Sequence, residues 1–512
     1  GIMTIVLPHG VLFRGGAEET IRTRLIEANN IDTIIGLPGS VFYGTGIPTI
    51  IMVLKKQRSN DDVLFIDASQ GFVKDGKNNL LRARDIERIV DTVHARQDVE
   101  HFARVVSRDE IRENDYNLNI PRYISATLPP EPVDFFATVN GGIPVSEIDA
   151  LAKYWGVLPG LREALFDEDS NGYATIRTDD VRKAVLEHSS AGALADTMNT
   201  ALDGFAESLE ADLIDNAMAV PVNTAEDAIK ADLFARLTPV PLVNEYQGYQ
   251  LLHEKWLTIA NDLTILQTEG WEAIRVIDPV MEWKTKNKKK VEVQTGWEGR
   301  VATFEVIRDL YLPELRNQVG DLTDERDSID AELTALIEGL SEEDKADLGD
   351  VLNAKEDGFL KGDLNKAVKA LPKGQQWPEG SVEAIQIEAN QLLDRLTQVK
   401  SQIKKAGEEL ETKTHETIEN LTDDQVVEVL STKWVAALMV QLGLLPTLAL
   451  RELADQVQRL QDKYATSLTE LDAQIATTEH SLFASLDQLT GSDADMQAVA
   501  ALKQMLGGGQ RD

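Results

Sequence analysis

At 512 residues the chain is long enough for several domains and a sizeable core, and with no cysteine it has neither a disulfide framework nor a thiolate metal site. Its net charge of −35 is unevenly placed: residues 1–130 hold 16 Lys and Arg against 17 Asp and Glu, the remainder 35 against 69. Neutralising phosphates takes a basic surface, so the acidic remainder is not expected to grip DNA or RNA by itself. No segment approaches the roughly 18 apolar residues of a membrane span, and the first residues lack the basic flank of a signal peptide, so a cytoplasmic protein without membrane contact is expected. Ile2 to Leu7 (IMTIVL) opens the chain as an almost wholly apolar run. It reads as a strand buried on both faces in the middle of a parallel sheet, which needs neighbours although none precedes it.

After Gly15-Gly16, residues 17–29 place Ile21, Leu25 and Ile26 on one helical face, with Glu18 and Glu19 in the first turn. Ile31 to Leu37, Thr49 to Leu54 and Val63 to Ile66 are three further apolar strands, and Val41 to Pro48 (VFYGTGIP) is a Gly-rich loop. The first 125 residues therefore predict an α/β domain, one end of a doubly wound, Rossmann-like sheet. Asn114 to Tyr123 (NDYNLNIPRY) reads as a surface-packing segment leaving that domain. His9 sits at a strand end, but no Asp or Ser partner is evident for a general base.

The stretches IVLPHGVLFRGGAE, IIGLPGSVFYGTGIPTIIMVLKK, VLFIDAS and ENDYNLNIPRYI resemble the back half of the modification subunit of type I restriction-modification enzymes. The resemblance covers about 130 consecutive residues. It implies an adenine-N6 DNA methyltransferase that uses S-adenosylmethionine. In that family a Gly-rich loop after the first strand holds the cofactor, and an Asn/Asp-Pro-Pro-aromatic tetrad holds the adenine amino group. Neither is found here, and Gly44-Thr45-Gly46 fails as a cofactor loop because it precedes a strand and not a helix. The resemblance implies that the matching part lies before Gly1 and that this chain alone binds no cofactor and is catalytically silent. It also assigns Phe42, with Tyr43 as neighbour, as the aromatic side chain that stacks on a flipped base. The bland alternative is that Phe42 plugs the sheet end.

Leu128 to Asp134 (LPPEPVD) is a linker by composition, and residues 126–310 predict a mostly helical extension with a small strand hairpin. Shorter stretches here, PLVNEYQGYQLLHEKW, the TEGW around Trp271 and the KWVAAL around Trp434, resemble long members of the same family. Asp167 to Gly172 opens like a calcium loop, but position 12 is Thr178 where a bidentate Glu belongs, so a polar turn is the better reading and no metal is expected. Lys284 to Lys290 (KTKNKKK) is a basic run between Trp283 and Trp297. It reads as a solvated hairpin tip or, through Lys284, Lys286, Lys288, Lys289 and Lys290, as a contact to DNA phosphates.

Three apolar stripes follow at spacings of three and four. Val319 to Leu340 and Leu392 to Leu410 predict an antiparallel coiled-coil hairpin within 311–425. The third predicts a long C-terminal helix in 426–512, whose stripe packs internally or, as the resemblance implies, docks a partner through Leu453, Val457, Leu460, Tyr464 and Leu468. The resemblance supplies that partner, a specificity subunit, with a restriction subunit and DNA in the assembled complex. The whole thus predicts an α/β then mainly α chain serving base stacking and subunit assembly. The rival reading is a non-enzymatic acidic coiled-coil scaffold whose sheet is a degenerate methyltransferase remnant.

Overall fold

The computed structural model describes residues 1–125, 133–286, 289–372 and 374–507. Most of the predicted linker 128–134 falls outside the described residues. The chain divides into two compact units: the first comprises residues 1–206, 223–257 and 438–512, the second residues 207–222 and 258–437. Of the four consecutive segments expected from sequence, 126–310 and 426–512 have residues in both units.

In the first unit the α/β region runs β1 (Ile2–Pro8), α1 (Ala17–Glu27), β2 (Ile31–Gly36), β3 (Thr49–Lys55), β4 (Val63–Asp67), β5 (Val73–Asp75), β6 (Asn78–Leu80), α2 (Ala83–Ala95), β7 (Ala103–Val106) and α3 (Arg108–Glu113). The main sheet has the order β1-β3-β2-β4-β7. Only β2 and β4 pair in parallel, and the other neighbours are antiparallel. One face carries Ile34, Phe65, Leu12 and Ile26; the other packs Ile35, Leu64 and Ile66 under Ile89 of α2. Because both faces are covered, Val63 to Ile66 of β4 is a continuous apolar run, while β2 buries Asp32 and Thr33 beside its isoleucines.

The apolar run at Ile2 to Leu7, with no strand before it, is expected to leave an exposed apolar sheet edge, and the described residues show one. β1 forms that edge, with Pro8 opposite Thr49 and Ile2 opposite Lys55. Ile5 and Leu7 pack on the first core, while Ile2, Met3 and Val6 face outward. The segment 117–123 corrects an expectation. Leu118, Ile120 and Tyr123 are core residues, the Tyr123 ring stacks on Phe65 at 4.4 Å, and its hydroxyl donates to the Asn117 carbonyl at 2.6 Å. Burial pushes that phenol up to about 12.

The rest of the first unit adds a small sheet (Ile143–Pro144, Tyr173–Ile176, Phe166–Glu168) and helices Val181–Leu186, Ser189–Ala201 and Leu445–Lys463. Leu453 and Val457 of the last of these are fully buried where it packs on the two before it. The predicted long terminal helix is broken at Tyr464–Ser467. Ser467 starts a new helix, Leu468–Asp487, through a capping box: its hydroxyl accepts the Glu470 N–H at 3.2 Å, and the Glu470 carboxylate accepts the Ser467 N–H at 3.1 Å.

The second unit is built on the helices Pro313–Glu338 and Val382–Glu419. Arg308 Nε donates to Thr414 Oγ1 near one end and Arg395 pairs with Glu325 further along, so the two helices run antiparallel. Ile329, Leu333, Leu396 and Val399 fill the seam, and Leu348, Val351 and Leu364 from the connecting segment close its far end. The strands Ile277–Lys286 and Lys289–Gly299 form a two-stranded hairpin with a bulge at Val280/Met281. Against the sequence expectation, Asp423–Lys463 contains a window of mean hydropathy 1.5 and is long and apolar enough to cross a membrane on length and composition. Val429, Leu430 and Trp434 are buried in the second unit and Leu442, Leu450 and Leu453 in the first, while Val427, Val440, Leu444 and Leu448 are exposed.

Candidate functional site

The loop between β2 and β3 is built to present an aromatic pair. Its limbs close on each other, the Leu37 N–H donating to the Thr49 carbonyl at 2.9 Å. A Cβ on Gly39 would stand 2.9 Å from the Gly46 carbonyl oxygen, so the limbs touch only because Gly39 is a glycine. Gly44, at φ +83°, turns the tip after Phe42 and Tyr43. The β5–β6 hairpin clamps the loop from the side: the Asn79 N–H donates to the Ser40 carbonyl at 2.9 Å and its Nδ2 to the Gly39 carbonyl at 2.6 Å. Phe42 is left 41 % exposed and Tyr43 89 % exposed. An exposed aromatic tip on an anchored loop can stack on a planar group.

The segment Gly44-Thr45-Gly46 leads into β3, a strand, so no helix N-terminus follows it to receive a cofactor phosphate or carboxylate. These residues do not fit a cofactor loop, and no residue is assigned to S-adenosylmethionine. His9 lies half-buried, its imidazole held below its ordinary value by burial against the opposing charge of Asp67. Asp167, Glu168 and Asp169 are engaged elsewhere: Asp167 pairs with Arg177, Glu168 with Arg162, and Asp169 accepts the Asn171 and Tyr173 N–H groups.

In the second unit the basic hairpin tip pairs Lys284 with Val291 and Thr285 with Lys290. Trp283 is exposed, whereas Trp297 packs edge-on against His415 at 5.6 Å. Lys288 lies outside the described residues, as do the side chains of Lys286 and Lys289. Of the five residues assigned to partner docking, Leu453, Val457 and Tyr464 are already buried within the first unit and Leu460 is half-buried; only Leu468 is exposed. Lys463 and the Tyr464 hydroxyl both hold the Glu147 carboxylate. The apolar stripe there serves internal packing. Open apolar surface lies further on, at Leu471, Ile475, Leu482, Leu489, Met496 and Leu502.

Residues 1–129 match the family model described as N-6 DNA Methylase. This amino-terminal quarter resembles the modification subunits of type I restriction-modification enzymes. It is 42 % identical over 135 residues to the type I restriction enzyme MpnII methylase subunit of Mycoplasma pneumoniae, covering 26 % of this chain and 25 % of the relative. It is 41 % identical over 136 residues to the MjaVII methylase subunit of Methanocaldococcus jannaschii, covering 25 % and 24 %. The solved methyltransferase subunit of a type I restriction-modification system from Streptococcus thermophilus is 55 % identical over 24 % of this chain and 26 % of its own, with a TM-score of 0.24. The chain thus spans about a quarter of the length of the curated relatives it matches.

Proposed function

We propose that this chain forms part of the modification subunit of a type I restriction-modification enzyme, one that methylates adenine N6 in DNA with S-adenosylmethionine. The observation that carries the reading is the likeness of residues 1–129 to type I methylase subunits at 41–42 % identity. The cofactor loop and the Asn/Asp-Pro-Pro-aromatic tetrad are not among these 512 residues. Within the chain's own residues the role is therefore to stack a flipped adenine on Phe42, with Tyr43 beside it, and to dock partner subunits. A specificity subunit is the proposed partner, with DNA and a restriction subunit in the same assembly. Lys284 and Lys290 are proposed backbone contacts.

The test is DNA binding by the chain assembled with its specificity subunit, using a duplex whose target adenine is mismatched. One lost stacking contact is worth about 1–3 kcal/mol, so Phe42→Ala is expected to weaken binding by about 5- to 150-fold. Equal affinity of the variant and the parent would remove Phe42 from the assignment.

A further inference from the structure

At the end of β4 the first unit holds a cavity of about 360 Å³, walled by Asp67, by Arg82, Arg84 and Arg88 of the α2 region, and by Asn244 and Gln247 at the start of helix Glu245–Glu269. That volume falls in the range of small-molecule sites. Arg82 is committed to Asp85, donating from Nε at 2.7 Å, from Nη2 at 3.1 Å and from its backbone N–H at 3.0 Å. Arg84 approaches Asp85 only at 3.8 Å. Arg88 lies with its guanidinium carbon 3.9 Å from the centre of the Phe102 ring, and among the described residues no carboxylate stands within ion-pair distance of it. Burial lowers both Arg84 and Arg88 from their ordinary values, and Arg82 lowers Arg84 further. Two partly desolvated guanidiniums are thus left with donors that an oxyanion would satisfy.

Two helix N-termini open onto the same space, the 13-residue α2 and the 25-residue Glu245–Glu269. Their positive ends add to the field there. The first-turn Arg84 N–H already donates to Gln250 Oε1 at 3.1 Å, so the direct donors are side chains. Asp67 and Glu100 also line the cavity, which makes it unsuited to long-range capture of anions and suited to one held at contact distance.

We propose that this cavity binds a phosphoryl group through Arg84 and Arg88, carried either by a nucleic-acid backbone or by a free nucleotide. The assignment stands apart from the methyltransferase reading, because it rests on the cavity's own donors.

The experiment titrates the full chain with inorganic phosphate, AMP and adenosine by calorimetry, and with a short labelled duplex by fluorescence anisotropy. A phosphate-bearing probe is expected to bind and adenosine is not. Arg84→Gln and Arg88→Gln are each expected to weaken that binding by about tenfold, the worth of one charge-assisted contact. Binding of AMP and phosphate identifies a free nucleotide as the source, whereas binding of the duplex alone identifies the backbone. Because Arg88→Gln also removes the stack on Phe102, Gln247→Glu serves as a second variant. It sets a carboxylate in the cavity wall away from that stack, and is expected to weaken binding as much while leaving the unfolding midpoint unchanged. If none of the phosphate-bearing probes binds, or if all three variants bind them as the parent does, the assignment falls.

Discussion

Arg22 is charged yet buried, while Ile21 beside it is exposed; of the apolar face read from sequence, Leu25 and Ile26 reach the core and Ile21 does not. The guanidinium meets three carbonyls that would otherwise lack partners: Val11 at 2.9 Å, Arg14 at 2.8 Å and Tyr116 at 3.0 Å. An ion is tolerated inside when every donor has an acceptor. Glu27, at the other end of α1, accepts from Arg112 at 2.7 and 2.8 Å and from the Tyr116 hydroxyl at 2.8 Å. The Arg112 bonds, then the Tyr116 bond, hold its carboxyl down at about 2 against an ordinary 4.5. A carboxylate depressed in the folded state contributes stability that is complete above its unfolded value and lost as pH falls through the folded one. Glu27→Gln is therefore expected to lower the thermal midpoint near neutral pH, and its gap to the parent should close between pH 4.5 and 2. Calorimetric scans across that window check this; a gap undiminished at the acid end would show that Glu27 acts through packing.

Asn79 works at the same scale. Its Nδ2 bond to Gly39 steadies the loop that carries Phe42. Asn79→Ala leaves that carbonyl short of a donor, at a cost of about 1–3 kcal/mol. Amide exchange in residues 37–48 is expected to quicken while exchange in β4 stays slow. Unchanged protection in the loop would mean that its own turn suffices.

Among the elements, the π-helical turn Ser431–Ala436 is held by a buried ion pair. The Lys433 ammonium donates to Asp262 at 2.6 Å and to the Val301 carbonyl at 2.7 Å, and the Trp434 indole donates to the same Asp262 oxygen at 2.8 Å. Asp262→Ala would strand the ammonium without a counter-ion, a loss of about 3–5 kcal/mol, whereas the double change Asp262→Leu with Lys433→Met is expected to recover most of it. Urea unfolding of the two variants separates the outcomes. Equal losses would mean that volume and not charge holds the turn. Little of this was readable beforehand, since 262, 301 and 433 are far apart in sequence. β3 and β4 were readable from their apolar runs, and β2 from its three isoleucines despite Asp32 and Thr33. The same pattern marked β1, whose lack of a preceding neighbour pointed to the apolar edge left open at Ile2, Met3 and Val6. Ser467 and Glu470 carried a readable start signal, yet the heptad spacing that continues past it suggested one helix. For the site, Phe42 came from the resemblance of the VFYGTGIPTIIMV stretch, and the structure leaves its side chain exposed. The arginine cavity was invisible because its walls come from residues 67, 82–88 and 244–247.

At the scale of the whole molecule, the chain's last stretch belongs to the same compact unit as its first 206 residues. Leu445, Leu450, Leu453 and Val457 are all buried in that unit, each contributing about 1.5–3 kcal/mol. Their sum approaches the whole stability of an ordinary domain, about 5–15 kcal/mol. Truncation after Ala437 is thus expected to unfold the first unit, whereas truncation after Thr466 should leave its unfolding transition in place. The residues beyond Thr466 behave differently because Leu468, Leu471, Ile475, Leu482, Leu489, Met496 and Leu502 are exposed, among acidic neighbours Glu470, Asp472, Glu479 and Asp487, and Leu486 is the buried exception. A surface of that kind suits a helix with an apolar stripe flanked by Lys and Arg. Ile475→Asp, at an exposed site, is expected to abolish co-purification with the specificity subunit without moving the unfolding midpoint. Leu453→Asp, at a buried one, should lose the fold and the partner together. An intact complex with Ile475→Asp, Leu471→Asp and Leu482→Asp combined would take the docking role away from this helix and leave the apolar surface without a partner among the proposed subunits.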